Sequence, residues 1–257
     1  MMNDTAAPDL LKQRTLLVTG ASQGLGRAAA VAYARHGATV ILLGRNVHKL
    51  EQVYDEILAV GGPQPAIFPM DLAAAADADF AAMAQAIGYQ MGRLDGILHC
   101  AAAFESLVPQ SLENVEDWVR LFKVNAAAPA AINRACADFL VAGDRASVIL
   151  VGETHGHTPA AYWGGFAVSK AALEAYFKVQ ADEWSDTPMR INLMIPGPIN
   201  TPQRARTHPA EGKDSLLQPE ALLPRLLYLM GPDSASGCSR QPEALLPRLL
   251  YLMGPDS

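Results

Sequence analysis

The 257-residue chain is half hydrophobic and carries a formal net charge of -6, so it can bury a sizeable core and has no global attraction for nucleic acid or an anionic membrane surface. A small molecule is the expected partner. Cys100, Cys136 and Cys238 stand far apart without a CxxC pair, which points to neither a disulfide framework nor a zinc site. No run approaches the roughly 18 apolar residues of a membrane span, and the N-terminus lacks a basic segment followed by an apolar one. A cytoplasmic protein is expected.

From Thr15 onward short apolar runs alternate with amphipathic stretches. That rhythm predicts an α/β fold, a single Rossmann-type domain with a doubly wound parallel sheet. Strands are predicted at Thr15–Thr19, Thr39–Leu43, Ala66–Pro69, Gly96–Cys100, Ser147–Val151 and Arg190–Ile195, with helices beginning near Gly24, Asn46, Ala73, Val115, Ala161 and Pro219. Asn46 stands where an N-cap belongs, and the stretch after it sets Leu50, Val53, Ile57 and Leu58 on one helical face. Runs such as TLLVT and SVILV are apolar almost throughout, which implies burial on both faces. Residues 1–240 are read as the domain. Residues 241–257 repeat 218–234 without a change, and an identical pair reads as a recent duplication or cloning scar outside the core.

The first strand runs into Thr19-Gly20-Ala21-Ser22-Gln23-Gly24-Leu25-Gly26, which opens a helix. Glycines at such a turn let backbone amides approach a pyrophosphate, and the helix N-terminus adds partial positive charge. This loop predicts a dinucleotide site. At the end of the second strand, where an acidic residue would bind the ribose hydroxyls of NAD, stands Gly44-Arg45. A guanidinium suits a 2′-phosphate, so NADP(H) is the expected cofactor.

The spacing TGxxxGxG resembles the short-chain dehydrogenase/reductase family, and the resemblance runs from Thr15 to about Gly237. Within the family, the runs ATVILLGRN, LDGILH and YLMG look closest to a bacterial oxidoreductase subgroup of unassigned substrate. The resemblance implies that Asp71-Leu72 contacts the adenine and that Ala101 lies beside the cofactor, in a stretch where Cys100 and Ala102 replace the usual asparagine and glycine. It makes Asn125 the active-site asparagine, Lys170 the active-site lysine, and Pro196, Gly197, Ile199 and Thr201 the nicotinamide-side motif. It also implies a substrate loop over about 202–217 and a homodimer or homotetramer built through the helices that carry Asn125 and Lys170.

Two positions depart from that pattern. Counting back from Lys170, the place of the proton-donating tyrosine holds Phe166, and that of the substrate-holding serine holds Glu153. Phenylalanine has no ionisable proton, which leaves Glu153 as the best acid/base candidate. Tyr162 is expected to line the pocket beside Trp163, and His155 and His157 to be solvated loop histidines. The leading reading is an NADP(H)-dependent oxidoreductase with an altered active site. The alternatives are a cofactor-binding sensor or partner subunit without turnover, and a reductase of a pterin-like or amino-bearing substrate, which a carboxylate would suit.

Overall fold

The computed structural model describes residues 6–143, 145–232 and 234. The duplicated tail, 241–257, lies outside the described residues. Six parallel strands, β1 (Thr15–Thr19), β2 (Thr39–Gly44), β3 (Ala66–Pro69), β4 (Gly96–His99), β5 (Ser147–Val151) and β6 (Arg190–Met194), form one sheet in the order β3-β2-β1-β4-β5-β6. Each falls where the apolar runs predict it.

The chain completes α1 (Gly24–Arg35), α2 (Val47–Ala59), α3 (Asp77–Met91), α4 (Val115–Phe122), α5 (Ala128–Ala135), α6 (Ala137–Ala142), α7 (Thr154–His157), α8 (Gly164–Glu183), α9 (Pro202–Thr207) and α10 (Leu223–Met230). Side chains alternate along the fully buried β1, so Leu16 and Val18 join a core with α1, α2 and α10, while Leu17 joins one with α3, α5 and α8. This two-sided burial is why the strands read as continuous apolar runs.

Asn46 caps α2, its Oδ1 accepting from the Lys49 amide at 3.0 Å. Leu50, Val53 and Ile57 are buried, but Leu58 is 45% exposed, because it stands one further step of about 100° around the helix from Ile57. α3 starts at Asp77, four residues after the expected start at Ala73. The Asp71 carboxylate accepts from the Ala73 amide at 3.0 Å and bends residues 71–75 into a turn, and Asp79 reaches back to the Ala76 amide at 2.8 Å to set the true start. α8 starts at Gly164, three residues after the expected Ala161. Tyr162 holds φ 72°, through which a right-handed helix cannot run, so α8 begins only beyond it. The segment from Pro219 opens with a single 3-10 turn before α10.

Candidate active site

The chain leaves β1 toward β2 on one side and returns past it to β4 on the other, so the C-terminal ends of β1 and β4 part at the point where a doubly wound sheet receives its ligand. A cleft of about 490 Å³ opens there. It is lined by Gly20, Ser22, Gln23, Gly24, Leu25 and Gly26 of the glycine loop and by Arg45, Asp71, Leu72 and Ala101. It is lined as well by Glu153, Trp163, Lys170, Pro196, Gly197, Ile199 and Thr201, and Thr201 comes up against the glycine loop at Gly24. The fold thus gathers nearly every predicted site residue from across the chain.

Two of the loop glycines have a physical reason to be glycine. Gly20 has φ 67°, and a Cβ on it would sit 2.8 Å from the Ala101 backbone; a Cβ on Gly26 would run into the Gly20 carbonyl oxygen. The turn closes only without side chains. Arg45 is exposed, lines the cleft and, among the described residues, makes no hydrogen bond or ion pair. A free guanidinium, a tight loop of amides at a helix N-terminus and Lys170 opposite form a donor set that fits a phosphorylated dinucleotide.

Three predicted residues do not line the cleft: Thr19, Asn125 and Phe166. Thr19 is buried and accepts the Ala101 amide on its hydroxyl at 3.1 Å. It ties β1 to β4 where Cys100 has replaced an amide side chain. Asn125 sits in a π turn, Lys123–Ala127, between α4 and α5. Its Oδ1 accepts from the Ala103 amide at 2.7 Å, and its Nδ2 donates to the Ala103 carbonyl at 3.0 Å and to Ser169 Oγ at 2.9 Å. The side chain is spent on holding the segment that floors the cleft. Phe166 is 3% exposed and packs edge-on against Phe104, ring centroids 5.3 Å apart, with Trp163 completing the cluster.

Lys170 is buried with its Nζ donating to the Val151 carbonyl at 3.0 Å. Burial lowers its pKa to about 8, while the charges of Glu153 and Cys100 pull it back up. Cys100 also lines the cleft, but burial pushes its thiol up to about 12 and so out of acid/base use near neutrality. α8 is positioned from a distance: the Glu113 carboxylate accepts from the Gly165 amide at 3.2 Å and from Trp118 Nε1 at 2.7 Å. No local signal in the sequence links Glu113 to a helix that starts 51 residues later.

Tyr162 is 59% exposed and does not line the cleft; Trp163 does. Tyr162 precedes the helix instead of riding on it, so it shares no face with Phe166. His155 is not a solvated loop residue. Its ring stacks on Trp163 with centroids 3.6 Å apart and planes 11° apart, and its Nδ1 lies 3.3 Å from each Glu153 carboxylate oxygen. Of the segment 202–217, Pro202, Gln203, Arg204, Arg206 and Thr207 line the cleft. Arg206 donates to the Phe104 carbonyl at 3.0 Å with its guanidinium 5.5 Å above the Phe104 ring, and Arg204 pairs with Glu211 at 2.6 and 2.7 Å.

The family model for short chain dehydrogenases matches residues 14–212. The chain belongs to that family. It is an oxidoreductase of the short-chain type, and its relatives fit that class. It is 40% identical over 226 residues to a protein of Escherichia coli (strain K12) named "Uncharacterized oxidoreductase YciK", covering 88% of this chain and 89% of that one. A short chain dehydrogenase from Shigella flexneri 2a solved in complex with NADP superposes with a TM-score of 0.86 at 39% identity, over 89% of this chain and 95% of that one. Another, from Escherichia coli CFT073 and complexed with NADPH, gives 0.86 at 40% identity over the same shares. No helix among the described residues is long and apolar enough to cross a membrane.

Proposed function

We propose that this short-chain dehydrogenase is an NADP(H)-dependent oxidoreductase in which Glu153 handles the proton that a tyrosine handles elsewhere in the family. The observation that carries this reading is the position of Glu153. Glu153 lines the cleft with Lys170 and is close enough for its charge to act on that lysine, whereas Phe166 lies in the aromatic cluster outside the lining. The relatives complexed with NADP and NADPH support the choice of cofactor, as does the free Arg45. When bound, NADPH supplies the hydride for a carbonyl carbon. The chain's own task is to hold the cofactor through the glycine loop, Arg45, Asp71-Leu72, Ala101 and the turn carrying Ile199 and Thr201, and to deliver a proton to the carbonyl oxygen. Lys170 holds positive charge near that oxygen, and Glu153 supplies the proton. The carboxylate beside the flat walls of Trp163 and Phe104 favours a planar substrate with an amino or similarly basic group.

One observation favours a second reading, a cofactor-binding subunit without turnover: no tyrosine hydroxyl lines the described cleft. NADPH consumption over a panel of ketones, quinones and pterins separates the two. The expected result is turnover that falls by about 10²- to 10⁴-fold in Glu153→Gln, the range of a positioned general acid. Brisk turnover that survives Glu153→Gln overturns the role of Glu153, and NADPH binding without turnover on any substrate favours the second reading. The reading extends to a homo-oligomer through α4 and α8, whose paired surfaces expose Val119, Phe122, Val168 and Val179. Residues 1–240 are taken as the functional domain, with the tail as a dispensable copy.

A further inference from the structure

Glu153 does not stand alone. Its carboxylate accepts from the His155 backbone amide at 2.6 Å, and the His155 Nδ1 lies 3.3 Å from both of its oxygens. The His155 ring is clamped flat against Trp163, itself a wall of the cleft. Such a stack fixes the imidazole plane with Nδ1 facing the carboxylate. The side chains are largely sheltered, at 22% exposure for His155 and 19% for Glu153.

Resting on the oxidoreductase reading above, we infer that His155 is the positioning residue of the site: it shares one proton with Glu153, aims the carboxylate into the cleft and restores its proton after each turnover. In the reducing direction the hydride adds to the carbonyl carbon, the C–O π electrons go to oxygen, and the oxygen takes the proton from the Glu153 carboxyl. The pair is then neutral imidazole beside carboxylate: the imidazole takes a proton from solvent at Nε2 and passes its Nδ1 proton to the carboxylate. One hydride and one proton enter the substrate, and the cofactor leaves oxidised. In the oxidising direction the same pair removes the proton.

The groups that face this pair are known from each element around it. Lys170 approaches Glu153 from α8, and His208 comes from the segment after α9. His208 is 5.8 Å from Trp163, ring to ring, and its pKa is lowered first by burial and then by Arg204, with His155 adding to the effect and Glu211 and Glu153 opposing it.

The test uses the full chain with Trp118 and Trp184 changed to Phe, so that emission reports Trp163 alone. A protonated imidazole stacked on an indole quenches it. Emission is expected to fall as pH is lowered, to lose that dependence in His155→Gln, to keep it in His208→Gln, and to be altered in Glu153→Gln, where Nδ1 loses its carboxylate partner. The dependence surviving in His155→Gln, or an unchanged midpoint in Glu153→Gln, overturns the inference. Should the tryptophan changes destabilise the fold, a ring-nitrogen NMR titration of His155 in the otherwise unaltered chain reads the same coupling. On a substrate from the panel, His155→Gln is expected to lower kcat by about tenfold or more with little change in KM and to displace the pH profile, a general-acid effect. An unshifted profile overturns the inference. The emission experiment needs neither cofactor nor substrate, so its failure is distinct from a failure of the oxidoreductase reading, which NADPH consumption alone decides.

Discussion

Replacing Arg45 by alanine isolates the source of cofactor preference. The guanidinium stands at the end of β2, exposed and without an intramolecular partner, so the substitution breaks no contact in the free protein and its effect belongs to the complex. A hydrogen bond between charged groups contributes about 1.5–3 kcal/mol, and an exposed ion pair only about 0.2–1 kcal/mol. A doubly charged phosphate gripped by a planar fork at an open site falls between these limits, near 1.4 kcal/mol, or about tenfold in Kd. Titration calorimetry of both cofactors with wild type and Arg45→Ala is the assay. NADPH is expected to bind about tenfold more weakly to the variant, while NADH, which lacks the 2′-phosphate, changes by less than about twofold. Added salt should narrow the wild-type preference, because an exposed pair is screened over a Debye length of about 10 Å at 0.1 M. Equal wild-type affinities, or a preference that survives in Arg45→Ala, would refute the reasoning.

The double variant Phe166→Tyr, Glu153→Ser removes the proposed acid and adds a hydroxyl to a ring packed in the aromatic cluster, outside the cleft lining, so NADPH-dependent ketone reduction is expected to stay below wild type; reduction at or above the wild-type rate would show that the new hydroxyl reaches the cleft. Lys170, titrating at about 8 because burial outweighs the pull of Glu153, should lose charge and cofactor affinity as pH rises through that value, and in Glu153→Gln the loss should begin at lower pH; a flat NADPH-binding profile there counts against it. The sign for stability is opposite: below about 8 both folded and unfolded chains hold the proton and the cost is constant, and from there to the unfolded value of about 10.4 the unfolded chain binds more protons, so this group's contribution rises with pH. Gly164→Ala should destabilise by about 1–3 kcal/mol, since φ is 26° and the new methyl group would displace the Glu113 carboxylate that caps α8; calorimetry should show Tm falling by about 2–4 °C per kcal/mol, and an unchanged Tm would dismiss that cap. Phe122→Asp, on the exposed face beside α8, should reduce an oligomer to monomers in analytical ultracentrifugation, and an unaltered assembly would place the interface elsewhere.

The sequence by itself determined the sheet and the cofactor end of the cleft. Strands buried on both faces must be apolar almost throughout, so TLLVT and SVILV announce themselves, and a loop that closes only with glycine at Gly20 and Gly26 leaves its mark directly after the first of them. Arg45 and the absence of a tyrosine at Phe166 are equally local facts. What escaped the sequence depends on groups that meet only in three dimensions. Glu113, 52 residues before Gly165, holds the first turn of α8, and just before that turn Tyr162 faces outward while Trp163 lines the cleft. Thr19 and Asn125 sit in the expected motifs, yet their side chains are occupied by the backbone of Ala101 and Ala103, which no spacing reveals. His155 looked like any histidine in a polar loop. Only the fold lays its ring on Trp163 and its Nδ1 beside Glu153, because stacking and proton sharing depend on distances of a few ångströms that the order of residues along the chain does not encode.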